Sequence, residues 1–240
     1  MRKTVSLILF FVTVFTLVNA QTNSKSSTAD NNINLKVYQQ SISLNDYGTA
    51  INALHYLIAG DAAKYANWQD TLALLYTRTN DYQQGFLLSD ALLNSKGYTD
   101  LRMEIKAVCA KQLQQPVEAI NAYGILFTKT HNAVYGFEEL QLQYAIRRLA
   151  ETVATGNDLL KIILPNDSTQ VNVMKLDGKN MQQVSLKAAT ENVLGLAYID
   201  LKDKQNAVAQ LQMALKENPD FEQAKNNLNV ANALGSDAKK

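Results

Sequence analysis

The residues able to do chemistry are few, and their spacing suits little of it. The 240-residue chain carries one cysteine, Cys109, and two histidines, His55 and His131. A single thiol cannot close an internal disulfide, and two distant histidines cannot write a His/Cys zinc site or an H-E-x-x-H helix. Metal chemistry would therefore rest on carboxylates alone, and the sequence implies no cofactor. Cys109 lies in the stretch Ala107-Val108-Cys109-Ala110, which supplies it no base, so it reads as a small buried hydrophobe. His55, within Leu54-His55-Tyr56-Leu57-Ile58, reads as the polar flank of a packed helix, and His131 as a solvated turn residue. Adjacent acids such as Glu138-Glu139 point to different sides of a helix and do not converge on one atom. A nucleophile elbow, P-loop, dinucleotide fingerprint and EF-hand loop are all missing from the sequence.

Composition narrows the partners further. With 23 Lys+Arg against 22 Asp+Glu the formal charge is +1, which gives no whole-chain attraction to nucleic acid or anionic lipid. A hydrophobic fraction of 47% with 19% charged residues is that of a folded chain. Met1-Arg2-Lys3, the apolar run Val5 to Val18 and the small residue Ala20 read as a secretory signal peptide over residues 1–20. Fourteen apolar residues rise roughly 21 Å against a ~30 Å hydrocarbon core, too short to span it comfortably. No cysteine follows the run, so no lipid anchor is expected, and cleavage of Arg2 and Lys3 takes the formal charge from +1 to −1. The expectation is export to the periplasm, cell envelope or medium, with no membrane span after cleavage. Residues 21–32 (QTNSKSSTADNN) read as a flexible leader. An exported chain with one cysteine must take its stability from packing.

From Asn32 onward the apolar residues recur at three and four, the helical period. The clearest unit is Leu194-Gly195-x-x-Tyr198 followed by Ala207, Leu211, Ala214 and Pro219. The same offsets recur around Ala50, Gly85 and Ala119, spaced 35 and 34 residues apart. The turns Leu44-Asn45-Asp46-Tyr47, Thr79-Asn80-Asp81-Tyr82, Leu113-Gln114-Gln115-Pro116 and Leu201-Lys202-Asp203-Lys204 share one register. This pattern resembles the tetratricopeptide repeat (TPR), whose 34-residue helix–turn–helix units place small residues where paired helices cross. The resemblance implies an all-α, right-handed solenoid: three units over residues 33–129 and a C-terminal unit with capping helix over 187–234, ending in a tail at 235–240. Residues 130–186 interrupt it. There Ala133 to Ala154 reads as one long helix and Asp158 to Leu164 as a short one closed by Pro165. Gln170 to Leu176, Asp177-Gly178 and Met181 to Leu186 then read as a short β-hairpin, or an irregular loop, near 168–186.

The resemblance also implies a function: a non-enzymatic scaffold whose first helices line a concave groove that takes a protein or peptide partner. Carried over position by position, the groove residues include Gln39, Asn67, Asp70, Leu74 and Arg78, then Glu104, Lys111 and Gln112, then Asn192 and Asp200. The family's clamp for an acidic peptide C-terminus is not supported, because Leu35, Asp70 and Glu104 stand where it needs lysine. Arg78 and Lys111 either meet a partner carboxylate or bridge to Asp70 or Glu104. Of the eleven tyrosines, Tyr76, Tyr123 and Tyr198 fall on packing positions and Tyr47 and Tyr82 in the turns, while Tyr65, Trp68 and Tyr98 are freer to anchor a ligand. The alternatives are a hydrolase or sugar-active enzyme with carboxylates converging from distant repeats, and an assembly component docking through 165–186.

Overall fold

Each helical hairpin turns at one residue with a left-handed backbone. These are Asn45, Asn80, Gln114, Arg147 and Lys202, with φ between 56° and 64°. In every case the same bond closes the turn, from the third residue past the helix back to a carbonyl five positions earlier: Asp46 N to Ser41 O, Asp81 N to Tyr76 O, Gln115 N to Ala110 O, Arg148 N to Gln143 O and Asp203 N to Tyr198 O, at 2.8–2.9 Å. This is the Schellman closure of a helix C-terminus. Twice a tyrosine reinforces it: Tyr47 and Tyr82 donate to Asn45 Oδ1 at 2.9 Å and Asn80 Oδ1 at 2.6 Å. Asp46 and Asp203 then cap the following helices by accepting from Thr49 N and Asn206 N.

The computed structural model describes residues 28–164 and 167–235. The expected signal segment 1–20, residues 21–27 of the leader, Pro165 and tail residues 236–240 lie outside the described residues. The turns join α1 (Thr28–Ser43) to α2 (Tyr47–Gly60), α3 (Trp68–Arg78) to α4 (Tyr82–Lys96), α5 (Asp100–Gln112) to α6 (Pro116–Thr130), α7 (Ala133–Ala145) to α8 (Leu149–Ile162) and α9 (Leu186–Asp200) to α10 (Lys204–Glu217). A final helix, α11 (Glu222–Ala233), covers the end of the stack.

Three boundaries differ from the sequence expectation. Helix α1 begins at Thr28, inside the stretch read as leader. The single helix expected over Ala133 to Ala154 breaks after Ala145, reverses at Arg147 and restarts at Leu149; the short helix expected from Asp158 is the end of α8. The array is therefore not interrupted at residue 130. The turn residues are spaced 35, 34 and 33 apart and then 55, so α7 and α8 form a further repeat unit and the extra length falls between α8 and α9.

The small residue near the start of each second helix sits in one register: Ala50, Gly85, Ala119, Thr152 and Ala207, all buried. The larger Thr152 fits because its hydroxyl donates to Arg148 O at 2.9 Å. A Cβ on Gly85 would lie 2.8 Å from Cys109 Sγ, and one on Gly195 2.5 Å from Leu211 Cγ, so these helices approach with no room to spare. Cys109 is fully buried and burial pushes its thiol pKa up, as fits a packing residue. Helix α3 packs on α5, α7 on α9 and α9 on α11, whereas second helices show no comparable packing on one another. The stack thus closes toward its first helices and opens clefts between its second ones.

The inserted segment forms an antiparallel pair, β1 (Gln170–Met174) and β2 (Met181–Ser185), with Val171 opposite Val184 and Met174 opposite Met181. Alternation turns Val171, Val173 and the fully buried Val184 toward the core and Asn172, Met174 and Gln183 outward. The pair is not isolated. Gln182 donates to Asp220 O at 2.7 Å and accepts from Glu222 N at 3.1 Å, supplying α11 with the cap that Phe221 cannot. Ser185 N donates to Asn218 Oδ1, and Lys175 pairs with Glu222 at 3.1 Å. Among the described residues no helix is long and apolar enough to cross a membrane.

Candidate interaction surface

The first helices α1, α3, α5, α7, α9 and α11 carry the residues expected to line a groove. Gln39, Asn67, Arg78 and Gln112 are exposed, Leu74 is half-buried, and Asp70, Glu104, Lys111 and Asp200 are partly covered, while Asn192 is 3% exposed. Much of this wall is stitched to itself. Arg102 grips Asp70 with two bonds, Nε to Oδ1 at 2.6 Å and Nη2 to Oδ2 at 2.8 Å, and spends a third on Gly97 O at 2.9 Å. That bidentate pair, tying α3 to α5, holds the Arg102 pKa above its ordinary value. Lys111 on α5 pairs with Glu138 on α7, and Arg147 at the end of α7 donates to Asp200 on α9 at 2.5 Å. Beside them Tyr135 is raised by burial and then by Glu104, and Tyr144 is pushed up to about 12 by burial and then by Asp200.

At the C-terminal end a chain of amide side chains adds to the Lys175–Glu222 pair. Asn227 on α11 donates to Asn192 Oδ1 at 2.9 Å, Asn192 donates to Gln223 at 3.5 Å, and Gln223 donates to the carbonyl of Met174 on the hairpin at 2.6 Å. The expected bridges from Arg78 and Lys111 to Asp70 or Glu104 are not the ones that form. Arg102 takes Asp70, Lys111 takes Glu138, and Arg78 donates to Tyr47 Oη at 3.3 Å with its guanidinium 5.7 Å from that ring. Sequence reasoning missed Arg102, Glu138, Arg147 and Gln223. For Arg102, Glu138 and Gln223 the signal was separation by about one repeat, 32 residues from Asp70 to Arg102, 27 from Lys111 to Glu138 and 31 from Asn192 to Gln223; Arg147 lies 53 residues from Asp200, across the inserted segment.

The three expected aromatic anchors divide. Tyr65 is only 4% exposed, a core residue, because the loop after α2 folds it under Trp68. Trp68 is half-buried edge-on to Tyr38 and Tyr65, with ring centroids 5.0 and 5.8 Å away. Tyr98 does face solvent, its hydroxyl on Asp100 at 2.6 Å and Lys129 4.7 Å above its ring. His55 is exposed and lies 2.7 Å from Tyr76 Oη, and His131 occupies the left-handed C-cap of α6. Among the described residues no group of three or more His, Cys, Asp or Glu side chains could hold a metal ion. The surface outside these interhelix pairs lies on α1, α3 with its N-cap, and α5: Gln39, Asn67, Leu74 and Gln112, with Arg78 held beside Tyr47. Its chemistry is hydrogen bonding and shallow apolar contact around one cation.

Paired helices of this length, turned at one register and stacked with their first helices inward, define the tetratricopeptide-repeat fold. Solved structures agree. The chain is similar to YrrB, described as a TPR protein with an unusual peptide-binding site, at TM-score 0.61 and 13% identity over 84% of this chain and 93% of that one. It is similar to MamA at TM-score 0.59 and 12% identity over 79% of this chain and 92% of that one. A second MamA structure gives TM-score 0.60 and 14% identity, covering 80% and 94%. No protein-family model and no curated protein sequence matches the chain.

Proposed function

We propose that the chain is a non-enzymatic interaction scaffold of the cell envelope, reached by export, which binds a peptide or protein segment along its concave wall. The carrying observation is the wall: α3 packs on α5, α7 on α9 and α9 on α11, the Tyr38–Trp68 ring contact joins α1 to α3 and the Lys111–Glu138 pair joins α5 to α7, with exposed polar groups on α1, α3 and α5. A segment laid along it meets Gln39 and Asn67 as hydrogen-bonding partners, Leu74 and the Trp68 face as apolar contacts, and Arg78 and Gln112 at the far side of the wall. The pairing of Asp70, Lys111 and Asp200 with neighbouring helices leaves little charge to attract a strongly ionic partner. Export rests on residues 1–20, and the absence of catalytic motifs from the sequence supports a binding role over a hydrolytic one.

The test is crosslinking of the mature protein in its own envelope, identification of what it captures, and titration of that partner in purified form. Arg78→Glu with Gln112→Glu is expected to weaken binding about tenfold, as loss of a charged hydrogen bond and an amide contact at an interface does. Asn52→Glu, on the exposed face of α2, is expected to leave binding unchanged. Equal affinity of the wall variant, or loss in the α2 variant, refutes the assignment.

A further inference from the structure

A second surface lies away from the concave wall. Between α6 and α8, whose own contacts are sparse, runs a cleft of about 620 Å³, a volume typical of small-molecule sites. Ile120, Ile125 and Phe127 supply its apolar wall, and the half-buried carboxylate of Glu139, reaching out from α7, lies in it. Space over that carboxylate exists because residue 124 is glycine: a Cβ there would lie 3.1 Å from Oε1 and 3.3 Å from Oε2 of Glu139.

The surroundings are short of donors. Gln143 Nε2 donates to Glu139 Oε1 at 2.8 Å, and no cation pairs with Glu139 among the described residues. Gln143 is itself 3% exposed, and its carbonyl oxygen has no hydrogen-bond partner. The other charged groups lining the cleft have partners of their own. Arg148 donates to Glu151 at 3.2 Å, Asp158 accepts from Lys161 at 2.8 Å, and the Lys129 ammonium lies over the Tyr98 ring. Burial, then the charge of Glu151, pushes the Glu139 carboxyl up to about 7, so below that pH a proton neutralises the carboxylate.

We propose that this cleft is a binding site for a ligand bearing an ammonium or guanidinium group on a short apolar shank, with Glu139 as its counter-charge. The cation displaces the proton from Glu139 and supplies the donors that its carboxylate lacks, while the shank packs on Ile120, Ile125 and Phe127. The same chemistry is found in a lysine or arginine side chain of a protein and in a free small amine.

The experiment follows the amide NMR signals of Gly124, Glu139 and Thr155 during titration with acetyl-lysine-methylamide, with 1,4-diaminobutane, and with uncharged acetyl-norleucine-methylamide. At pH 8 at least one cationic probe is expected to shift these signals saturably and the norleucine probe is not. Saturation by the capped lysine alone assigns the site to a protein side chain, and by the diamine alone to a free amine. Glu139→Gln is expected to weaken binding about tenfold. Gly124→Ala, which fills the space over the carboxylate, should do the same, with its fold checked by circular dichroism. Since Glu139 ionises near 7, affinity should fall about tenfold from pH 8 to pH 6. The proposal is overturned if neither cationic probe shifts the signals, if the norleucine probe binds as well, or if Glu139→Gln leaves affinity unchanged. Should Gly124→Ala fail to fold, the glutamine variant, which keeps the shape of the site, decides alone.

Discussion

Replacing Gly85 by alanine probes the crossing of α4 on α5 at its tightest point. The added methyl carbon would sit 2.8 Å from Cys109 Sγ, 3.4 Å from Thr77 Oγ1 and 3.6 Å from the Ala73 carbonyl. Ordinary carbon contacts begin near 3.5 Å, so the sulfur is well inside the repulsive range. Cys109 is fully buried and has nowhere to move. Overpacking costs about 1–3 kcal/mol, and a contact this short falls in the upper part of that range, about 2–3 kcal/mol, while a helical glycine-to-alanine change returns about 1 kcal/mol of backbone propensity. The expected balance is a loss of about 1–2 kcal/mol. Cys109→Ala alone removes the sulfur and leaves a small void, costing about 1 kcal/mol. If the two changes acted independently, the double variant would lose about 2–3 kcal/mol. The contact argues otherwise: the new methyl occupies the space the sulfur vacates, so the double variant should be at least as stable as Cys109→Ala. Urea denaturation followed by far-UV circular dichroism, read as midpoint shifts at constant slope, measures all four proteins. Gly48→Ala is the control, since its Cβ meets nothing closer than Asp46 Oδ1 at 3.9 Å, and a gain of up to about 1 kcal/mol is expected. A Gly85→Ala protein as stable as the parent, or additive losses in the double variant, refutes the reasoning.

Two further outcomes are expected. Asp70→Ala strands the Arg102 guanidinium, 8% exposed, with Gly97 O as its remaining acceptor; it should cost about 2–3 kcal/mol, and adding Arg102→Met should recover most of that in the same urea assay. Glu191 on α9 is 2% exposed and its carboxyl is raised to about 7, first by burial, with Lys187 opposing and Glu217 adding. The unfolded chain ionises it near 4.3, so between those values the folded state holds the extra proton and stability falls as pH rises from about 4 through 7. The Glu191 contribution is at most about 4 kcal/mol. Glu191→Gln should flatten the urea midpoint profile between pH 4.5 and 8.5, and an unchanged slope rules the carboxyl out as its source.

The repeat was legible wherever turn chemistry and small residues coincided. Asn45 and Asn80 tolerate a left-handed backbone, and Ala50, Gly85, Ala119 and Ala207 mark helix crossings, so four turns and four crossings could be read directly. The α7–α8 unit escaped because Arg147 and Arg148 are not turn formers and Thr152 replaces the small residue, although Arg147 lies 33 residues after Gln114. There the stacked neighbours impose the turn that the local sequence does not favour. Tyr65 was misplaced for a related reason: the residues after α2 look like a surface loop until the packing of Trp68 on Tyr38 closes over them. The wall positions follow from the repeat register, but the pairing of Asp70 with Arg102 and of Lys111 with Glu138 depends on how far one unit is rotated against the next.

By itself the sequence determined what is local: the helical period, the left-handed turns, the crossings that require a small side chain, and the divergence of Glu138 from Glu139 around their helix. Only the tertiary structure decided what those side chains meet. Glu138 turns to the wall and finds Lys111, whereas Glu139 turns to the α6–α8 cleft, finds the space over Gly124, and pairs with no cation among the described residues. The physical reason is that a turn or a cap is settled within a few bonds, while the state of a charge is settled by whatever the superhelix carries to within a few ångströms of it.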